Sequence, residues 1–158
     1  MTKFMALAVA LLIATPAFAQ TNINLGGIRA DSSAPVEVAA DSLSIDQDSG
    51  TAVFTGNVVV GQGDLRLSAG SVRVVYSDET GDIAQLIASD GVTFVTDTEA
   101  AEAQNAVYNL VTGVLTLTGD VLLTQGATAL SAERMTVNIN TGAAQMSGRV
   151  RTVFQQGN

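Results

Sequence analysis

Apolar and polar residues alternate along most of the chain from Pro35 onward. A spacing of two places the apolar positions on one face of a β-strand, whereas a helix needs a spacing near 3.6. Turn residues separate the alternating runs, as in Asp48-Ser-Gly50 and Asn140-Thr-Gly142. Short strands with turn signals every 8–12 residues or so predict an all-β sandwich, barrel or roll.

The alternation belongs to an internal repeat. Three good copies, each starting with an alanine 16 positions before a turn glycine, begin at Ala40, Ala103 and Ala132. A looser copy starts at Ala69 and reaches Gly91 only after 22 positions, so we expect a longer loop around 77–82 to take up the excess. A repeat of this size indicates one supersecondary unit stacked on its own copies. The sequence therefore predicts a stack of hairpin-like units, and the alanine-rich run 98–106 is expected to be strand and loop rather than helix.

The first 19 residues have the features of an export signal. Lys3 is followed by an apolar run from Phe4 to Ala14 and by the small-residue cleavage site Pro16-Ala-Phe-Ala19. The run is shorter than the roughly 18 residues that a membrane anchor requires, so we expect cleavage and a periplasmic location. The expected organisation is a signal peptide at 1–19, a flexible lead-in at 20–34, one β domain at 35–154 and a C-terminal tail at 155–158.

Composition narrows the classes of partner. After cleavage the chain holds six Arg, no Lys and 15 acidic residues, which gives a formal charge of −9. Nucleic acids and anionic membrane surfaces both require a basic face, so neither is an expected partner. The chain contains no cysteine, and its stability must come from burial and strand pairing rather than from disulfides.

Candidate catalytic groups are scarce. The chain has no His and no Cys, which removes the commonest general base, a common nucleophile and the usual zinc ligands. Asp46-Gln-Asp48 is better explained as an Asx-rich hairpin end than as a fragment of a calcium loop. Four further carboxylates could supply a catalytic pair, but their scattered positions favour solubilising charges on turns and solvent faces: Asp31, Asp41, Glu99 and Glu102. We therefore expect no enzymatic activity, no metal and no cofactor.

The aromatic residues leave two interpretations open. The mature chain has no Trp to form a sugar-binding platform. Its aromatic residues, apart from Phe154, belong to the alternating apolar set: Phe54, Tyr76, Phe94 and Tyr108. Aromatic residues at strand spacing indicate either an ordinary packed core or an interior that faces lipid.

Several segments match a known family in order. The segment from Val36 to Gly63, with its Phe-Thr-Gly-Asn-Val motif at 54–58, resembles the OstA-like family of lipopolysaccharide transport proteins. Val-Tyr-Asn-Leu at 107–110 and Leu-Thr-Gly-Asp-Val at 117–121 extend the resemblance, which covers roughly 35 to 151. It implies an open, slightly twisted β-jellyroll of stacked antiparallel strands. Its hydrophobic interior would carry lipopolysaccharide acyl chains from the inner to the outer membrane.

The resemblance also implies partners and a site. We expect edge-strand pairing with similar domains of inner- and outer-membrane transport proteins, and head-to-tail self-association, through Pro35–Ala39 and Gly148–Phe154. The residues expected to face the lipid share one parity of the repeat: Val36, Val38, Leu43, Ile45, Phe54, Val58, Phe94, Tyr108, Leu110, Leu117 and Met135.

Two further expectations concern the ligand. The only basic side chains available to contact phosphate are six arginines: Arg29, Arg66, Arg73, Arg134, Arg149 and Arg151. We therefore expect the lipid head group to project into solvent. The alternative to a carrier is an exported structural or adhesive β-repeat protein with a dry core and no ligand.

Overall fold

The chain folds into antiparallel β-strands. The computed structural model describes residues 21–24, 31 and 33–154, so the expected export signal at 1–19 and the expected tail at 155–158 lie outside the described residues. The strands are β1 (Thr21–Asn24), β2 (Val36–Ala39), β3 (Ser42–Asp46), β4 (Thr51–Gln62), β5 (Leu65–Tyr76), β6 (Ile83–Ser89), β7 (Val92–Val95), β8 (Glu99–Ala103), β9 (Asn105–Asn109), β10 (Val114–Gln125), β11 (Thr128–Asn138), β12 (Ala143–Ser147) and β13 (Arg151–Phe154). The expected all-β class is confirmed.

Four long strands, β4, β5, β10 and β11, are shared by two branches of the sheet. The N-terminal half of β4 pairs with β3, whereas its C-terminal half pairs with β2. Wall A consists of β3, 51–55, 71–76, β6, β9, 114–118, 134–138, β12 and β1. Wall B consists of β2, 58–62, 65–69, β7, β8, 121–125, 128–132 and β13. The walls fold toward each other and enclose one core.

The long strands bend where the two walls meet. The pairing of β4 with β5 shifts register between Thr55 and Val58, and that of β10 with β11 shifts between Thr118 and Val121. At the first bend Gly56 has a φ of 82° and Asn57 a φ of 46°. Both residues are in the left-handed region, which glycine and asparagine adopt most readily. The repeated glycine of the sequence is therefore the corner of the roll.

Two of these corners are covered closely by a polar side chain from a short connection between strands, Asp41 between β2 and β3 and Gln104 between β8 and β9. A Cβ atom added at Gly56 would lie 2.6 Å from Asp41 Oδ2, and one added at Gly119 would lie 2.6 Å from Gln104 Oε1. The same side chains hold the next residue, because Asn57 Nδ2 donates to Asp41 Oδ2 at 2.9 Å and Gln104 Nε2 donates to Asp120 Oδ2 at 2.9 Å. Glycine is required at both corners by backbone conformation and by space.

The looser repeat copy has the expected longer loop. Ser77–Asp82 joins β5 to β6 with six residues, and it is closed by the Ser77 amide, which donates to the Asp82 carbonyl at 2.8 Å. The corresponding loop between β9 and β10 has four residues, 110–113. The loop accounts for part of the excess, and longer flanking strands account for the rest. The run 98–106 is strand and turn, as expected.

Two expectations about the ends of the chain require correction. The lead-in at 20–34 is not free of strand, because Thr21–Asn24 form β1 and pair antiparallel with β12. The final strand begins at Arg151 rather than Gly148, because Gly148 and Arg149 have φ values of 77° and 49° and form a corner. The first edge strand, expected at Pro35–Ala39, begins one residue later, at Val36. Periodicity cannot detect β1, because its pairing with β12 joins distant segments. The corner at Gly148 does follow from the repeat, because Gly148 occupies the position of the corner glycines Gly56 and Gly119.

Candidate functional site

The interior between the walls is an apolar core. Five of the residues expected to face lipid are buried there: Val58, Phe94, Tyr108, Leu117 and Met135. Val36, Val38, Phe54 and Leu110 are partly buried and pack against the same core. Both walls thus contribute inward side chains, such as Leu117 from wall A and Phe94 from wall B. Whether these residues bind lipid stays a prediction.

Leu43 and Ile45 have a different environment. They lie opposite Phe54 and Ala52 in the β3–β4 ladder, and directly opposite residues of an antiparallel pair share a face of the sheet. Leu43 is nevertheless 50% exposed and Ile45 65% exposed, because β3 is the last strand of wall A at this end. The interior therefore opens to solvent through an apolar ledge formed by Leu43, Ile45 and Phe54.

A buried hydrogen bond joins the two walls. Tyr108 on β9 of wall A donates its hydroxyl proton to Gln62 Oε1 on β4 of wall B at 2.9 Å. Gln62 is itself buried, and its Nε2 donates to the Ala34 carbonyl at 3.1 Å. Burial raises the pKa of Tyr108, so the hydroxyl keeps the proton that it donates. Sequence parity predicted that Tyr108 faces inward. Gln62 continues the parity of buried Val58 and Val60 in β4, and this parity was the available signal for its burial.

A second polar group inside the roll departs from expectation. Glu99, which we expected on a turn or solvent face, is only 4% exposed. Its Oε1 accepts a hydrogen bond from Gln125 Nε2 at 2.8 Å, across the paired ends of β8 and β10. Glu99 stands first in β8 with the parity of buried Ala101 and Ala103, and this parity was the available signal. The other three carboxylates, Asp31, Asp41 and Glu102, are exposed and do not converge with Glu99.

The hairpin-end interpretation of Asp46 is supported by the geometry of its turn. Asp46 Oδ1 accepts hydrogen bonds from the amides of Asp48 at 3.0 Å and Ser49 at 3.3 Å. Hydrogen bonds from Ser49, chiefly from its backbone amide, lower the pKa of Asp46 below its ordinary value of 3.8. Asn109 and Asn138 accept the same pair of amide bonds in their own repeat copies. The position is a repeated turn cap.

Positive charge lies on the outside of the roll. The arginines that fall within the described residues are all exposed: Arg66, Arg73, Arg134, Arg149 and Arg151. Arg29 lies outside the described residues. Arg66 Nη1 donates to the carbonyls of Gly63 and Leu65, which ties it to its own turn. No arginine described by the structure lines the core, so a bound phosphate would have to remain outside it.

Two further searches covered the described residues. Across 21–24, 31 and 33–154, no group of three or more His, Cys, Asp and Glu side chains is placed to hold a metal ion. The same part of the chain contains no helix of the length and apolarity needed to cross a membrane.

The sheet edges are the second candidate interaction feature. At the N-terminal end, β2 and β3 each have one paired neighbour within the described chain, both contributed by β4. At the other end, β13 pairs with β11 and β1 pairs with β12. An edge strand presents unpaired amides and carbonyls that another strand can use. Each end of the roll therefore offers two edges, one per wall.

The antiparallel strands, the apolar interior and the sheet edges at each end place this chain in the β-jellyroll class of proteins. The family described as LptA/(LptD N-terminal domain) LPS transport protein matches residues 37–143. An uncharacterised protein of Rhizobium meliloti is 32% identical over 154 residues, covering 90% of this chain and 83% of that protein. The lipopolysaccharide export system protein LptH of Pseudomonas aeruginosa is 42% identical over 53 residues, covering 34% of this chain and 30% of LptH.

A solved structure has the same fold. The crystal structure of Pseudomonas aeruginosa LptH is described as the LptA homologous periplasmic component of the conserved lipopolysaccharide transport device. It superimposes with a TM-score of 0.72 at 19% identity, covering 80% of this chain and 99% of the LptH chain. This chain belongs to the LptA/LptD N-terminal-domain family of LPS transport proteins, and the OstA-like resemblance is confirmed.

Proposed function

We propose that the chain is a periplasmic carrier of lipopolysaccharide on the path from the inner to the outer membrane, with no catalytic step. Family membership supports transport in general. The observation that carries the proposal is the apolar ledge, where inward-facing Leu43 and Ile45 are exposed beside a buried core. A dry structural domain has no need to expose its interior at one end.

Acyl chains are the part of the lipid that requires shelter. Each CH₂ group removed from water contributes about 0.8 kcal/mol, so a lipid with several chains does not cross an aqueous compartment unshielded. The inward side chains are mainly Ala, Val and Leu, which hold an acyl chain without directional contacts. The head group, for which the described interior offers no arginine, would project into solvent.

Delivery requires contact with other carriers. Edge strands β2 and β3 at one end, and β13 at the other, are suited to strand pairing with similar domains of inner- and outer-membrane transport proteins. Pairing of both walls would align the interiors of two rolls and keep acyl chains out of water as they pass. Copies of this chain would associate head to tail by the same contacts.

A dry-core structural protein is the second candidate. Val58, Phe94, Leu117 and Met135 are completely buried, as in the close-packed interior of an ordinary domain. A carrier must open this core, whereas a structural domain keeps it closed. The two candidates differ in how the melting temperature responds to added lipid. A ligand that binds only the folded state raises the melting temperature of a carrier, whereas the melting temperature of a dry domain does not change.

The first experiment tests for the ligand. The full-length chain is expressed, and the exported protein is purified without detergent. Mass spectrometry should detect lipopolysaccharide retained by this protein. Its melting temperature should rise as lipopolysaccharide is added. Absence of the lipid from the purified protein, together with a melting temperature unchanged by lipid, would establish the dry-core alternative.

The second experiment tests the location by photo-crosslinking. A photoreactive residue at Leu43 or Leu117 should capture lipopolysaccharide, because both positions face inward. The matched controls are the adjacent outward positions, Ser44 and Thr116, and they should capture little. Ser44 is the sharper control, since it is exposed like Leu43 and differs only in the face it occupies. Equal capture on both faces would contradict the interior site.

A further inference from the structure

The two walls of the roll are joined covalently on one side. Their long strands run without a break through the corners, as at Gly56 and Gly119. On the opposite side, wall B ends in the turns 63–64, 96–98 and 126–127. Wall A ends there in the turns 47–50, 77–82, 110–113 and 139–142. The hydrogen bond between Tyr108 and Gln62 connects these two margins, and we call the line between them the seam.

Polar side chains line the margin of wall B on its inner face. Glu99 lies opposite Gln125, which lies opposite Thr128, and directly opposite residues of an antiparallel pair share a face of the sheet. Thr96 stands across the turn, where its amide donates to the Glu99 carbonyl at 2.9 Å. The apolar Leu65 continues the line to its partner in β4. We call the polar members of this line the polar row: Gln62, Thr96, Glu99, Gln125 and Thr128.

Polar groups are concentrated in this row and are absent from the rows behind it in wall B. Within 33–154, the buried polar or charged side chains other than Tyr108 are Gln62, Thr96 and Glu99, at 2%, 7% and 4% exposure. The next inward row of the same wall is apolar: Val60, Leu67, Phe94, Ala101 and Leu123. When the walls separate along the seam, the first groups of wall B to be exposed are therefore ones that water or a ligand can hydrogen-bond.

The chemistry of the row defines the kind of ligand. Carboxamides and hydroxyls both donate and accept hydrogen bonds, and a carboxylate accepts them, so the row suits ligand hydroxyl and amide groups. The described arginines are all exposed on the outside of the roll, so a phosphate at the row would meet no cation. Two residues of strand, about 7 Å, separate the row from the apolar row behind it. A ligand with acyl chains in the core would thus place their point of attachment at the polar row.

We propose that the polar row binds the hydroxyl- and amide-bearing sugar to which the acyl chains of the carried lipid are attached, and that the sugar reaches it when the walls separate along the seam. This proposal rests on the carrier function proposed above and assigns a site to the uncharged part of the head group. Opening breaks the bond from Tyr108 and frees the Gln62 side-chain carbonyl to accept from the sugar. Phosphates and the rest of the head group then project from the seam into solvent.

Two probes with one identical chain separate sugar recognition from apolar contact. Dodecyl glucoside and dodecyl phosphate are titrated calorimetrically into the protein, each below its micelle-forming concentration. The wild-type protein should bind the glucoside more tightly. Thr96→Val and Thr128→Val keep the side-chain shape and delete one hydroxyl, so each should weaken glucoside binding about three- to tenfold. Binding of dodecyl phosphate should be unchanged, because its chain contacts only the apolar interior.

The matched control makes the same substitution on the outer face of wall B. Thr93 lies between inward Val92 and Phe94 in β7, so Thr93→Val should change the binding of neither probe. Equal weakening of both probes by Thr96→Val and Thr128→Val would show that the row supports the fold alone. Glucoside binding that is absent, or no tighter than phosphate binding, would overturn the sugar site as well.

Photo-crosslinking with lipopolysaccharide supplies an independent measurement. A photoreactive residue at Thr128 should form adducts on the sugar, whereas one at Leu117, deep in the core, should form them on an acyl chain; fragmentation of the adduct in the mass spectrometer tells the two apart. Ala129 is the control, since it is part-exposed like Thr128 and occupies the outer face. Capture at Leu117 without sugar adducts at Thr128 would overturn the polar row as a site and leave the carrier function standing. Absence of capture at both positions would count against the carrier function itself.

Discussion

The hydroxyl of Tyr108 and the side-chain carbonyl of Gln62 meet at 2.9 Å, although 46 residues separate them in the chain. One residue belongs to wall A and the other to wall B, so this hydrogen bond closes the roll between its walls. Gln62 also binds the Ala34 carbonyl, which connects the closure to the segment leading into β2. Any widening of the interior on the side of these residues must break or stretch this bond.

Removing the bond should loosen the roll without unfolding it. Tyr108→Phe keeps the ring and deletes the hydroxyl, so we expect a loss of about 1–2 kcal/mol in the free energy of unfolding. The melting temperature should fall by roughly 2–8 °C. If wall separation limits lipid entry, lipopolysaccharide uptake should become faster. Uptake slower than that of the wild type would show that the bond does not restrain entry.

Alkaline titration provides an independent check on the same hydroxyl. Burial raises the folded-state pKa of Tyr108 above its ordinary value of 10.0, so the unfolded chain loses its proton first as the pH rises. This contribution to stability is complete below pH 10 and declines above it. Tyr108→Phe lacks it, so the stability gap between the two proteins should narrow above pH 10. Denaturant unfolding at pH 8 and above pH 10 measures the gap.

The corner glycines allow a matched comparison. Gly119 and Gly126 both have positive φ, 82° and 56°, but a Cβ at Gly119 meets Gln104 whereas one at Gly126 meets nothing within 4 Å. Gly126→Ala should cost only the backbone strain, about 1–2 kcal/mol. Gly119→Ala should cost roughly 1–2 kcal/mol more, because the Gln104 side chain must move. If chemical denaturation shows equal losses in the free energy of unfolding for the two variants, the Gln104 side chain moves aside at no measurable cost.

The repeated turn cap makes a prediction about acid. The folded-state pKa of Asp46 lies below its ordinary value of 3.8, so its stabilising effect is present above that pH and is lost as the pH falls through the folded value. Asp46→Asn substitutes the residue type found at Asn109 and Asn138, which make the same two amide bonds. Melting between pH 5 and pH 3 should therefore decline less in the variant. A parallel decline would exclude Asp46 from the acid response.

Head-to-tail association should respond to salt and to prolines in β13. The −9 charge expected after export opposes self-association, and screening acts within roughly 8 Å at 0.15 M salt. Sedimentation should show an oligomer series that grows with concentration and with salt. A closed dimer indifferent to salt would contradict open-ended growth.

The proline series separates docking from folding. Thr152 and Val153 are adjacent in edge strand β13, and neighbouring residues of an antiparallel edge donate to opposite sides. One of Thr152→Pro and Val153→Pro should therefore remove only an outward donor, weakening association while leaving the melting temperature nearly unchanged. If every variant that associates poorly also melts early, β13 serves the fold and not the docking.

The repeat was sufficient to predict the β class, the inward parity and the longer loop of the second copy. These properties are local: period-two alternation, turn residues and spacing specify each hairpin before it packs. The resemblance to a transport family was also readable from the sequence, because its motifs coincide with the corner glycines at 56 and 119.

Other properties depend on which strands become neighbours. Leu43 and Leu117 share one parity, yet one is half exposed and the other buried, because β3 ends wall A while β10 lies within the sheet. Glu99 is buried and Gln62 meets Tyr108 because distant strands converge. The pairing of β1 with β12 joins two segments that lie far apart in the sequence. Alternation specifies the face of a strand that a side chain occupies, whereas its exposure and its partners follow from contacts between residues far apart in sequence, and only the tertiary structure decides those.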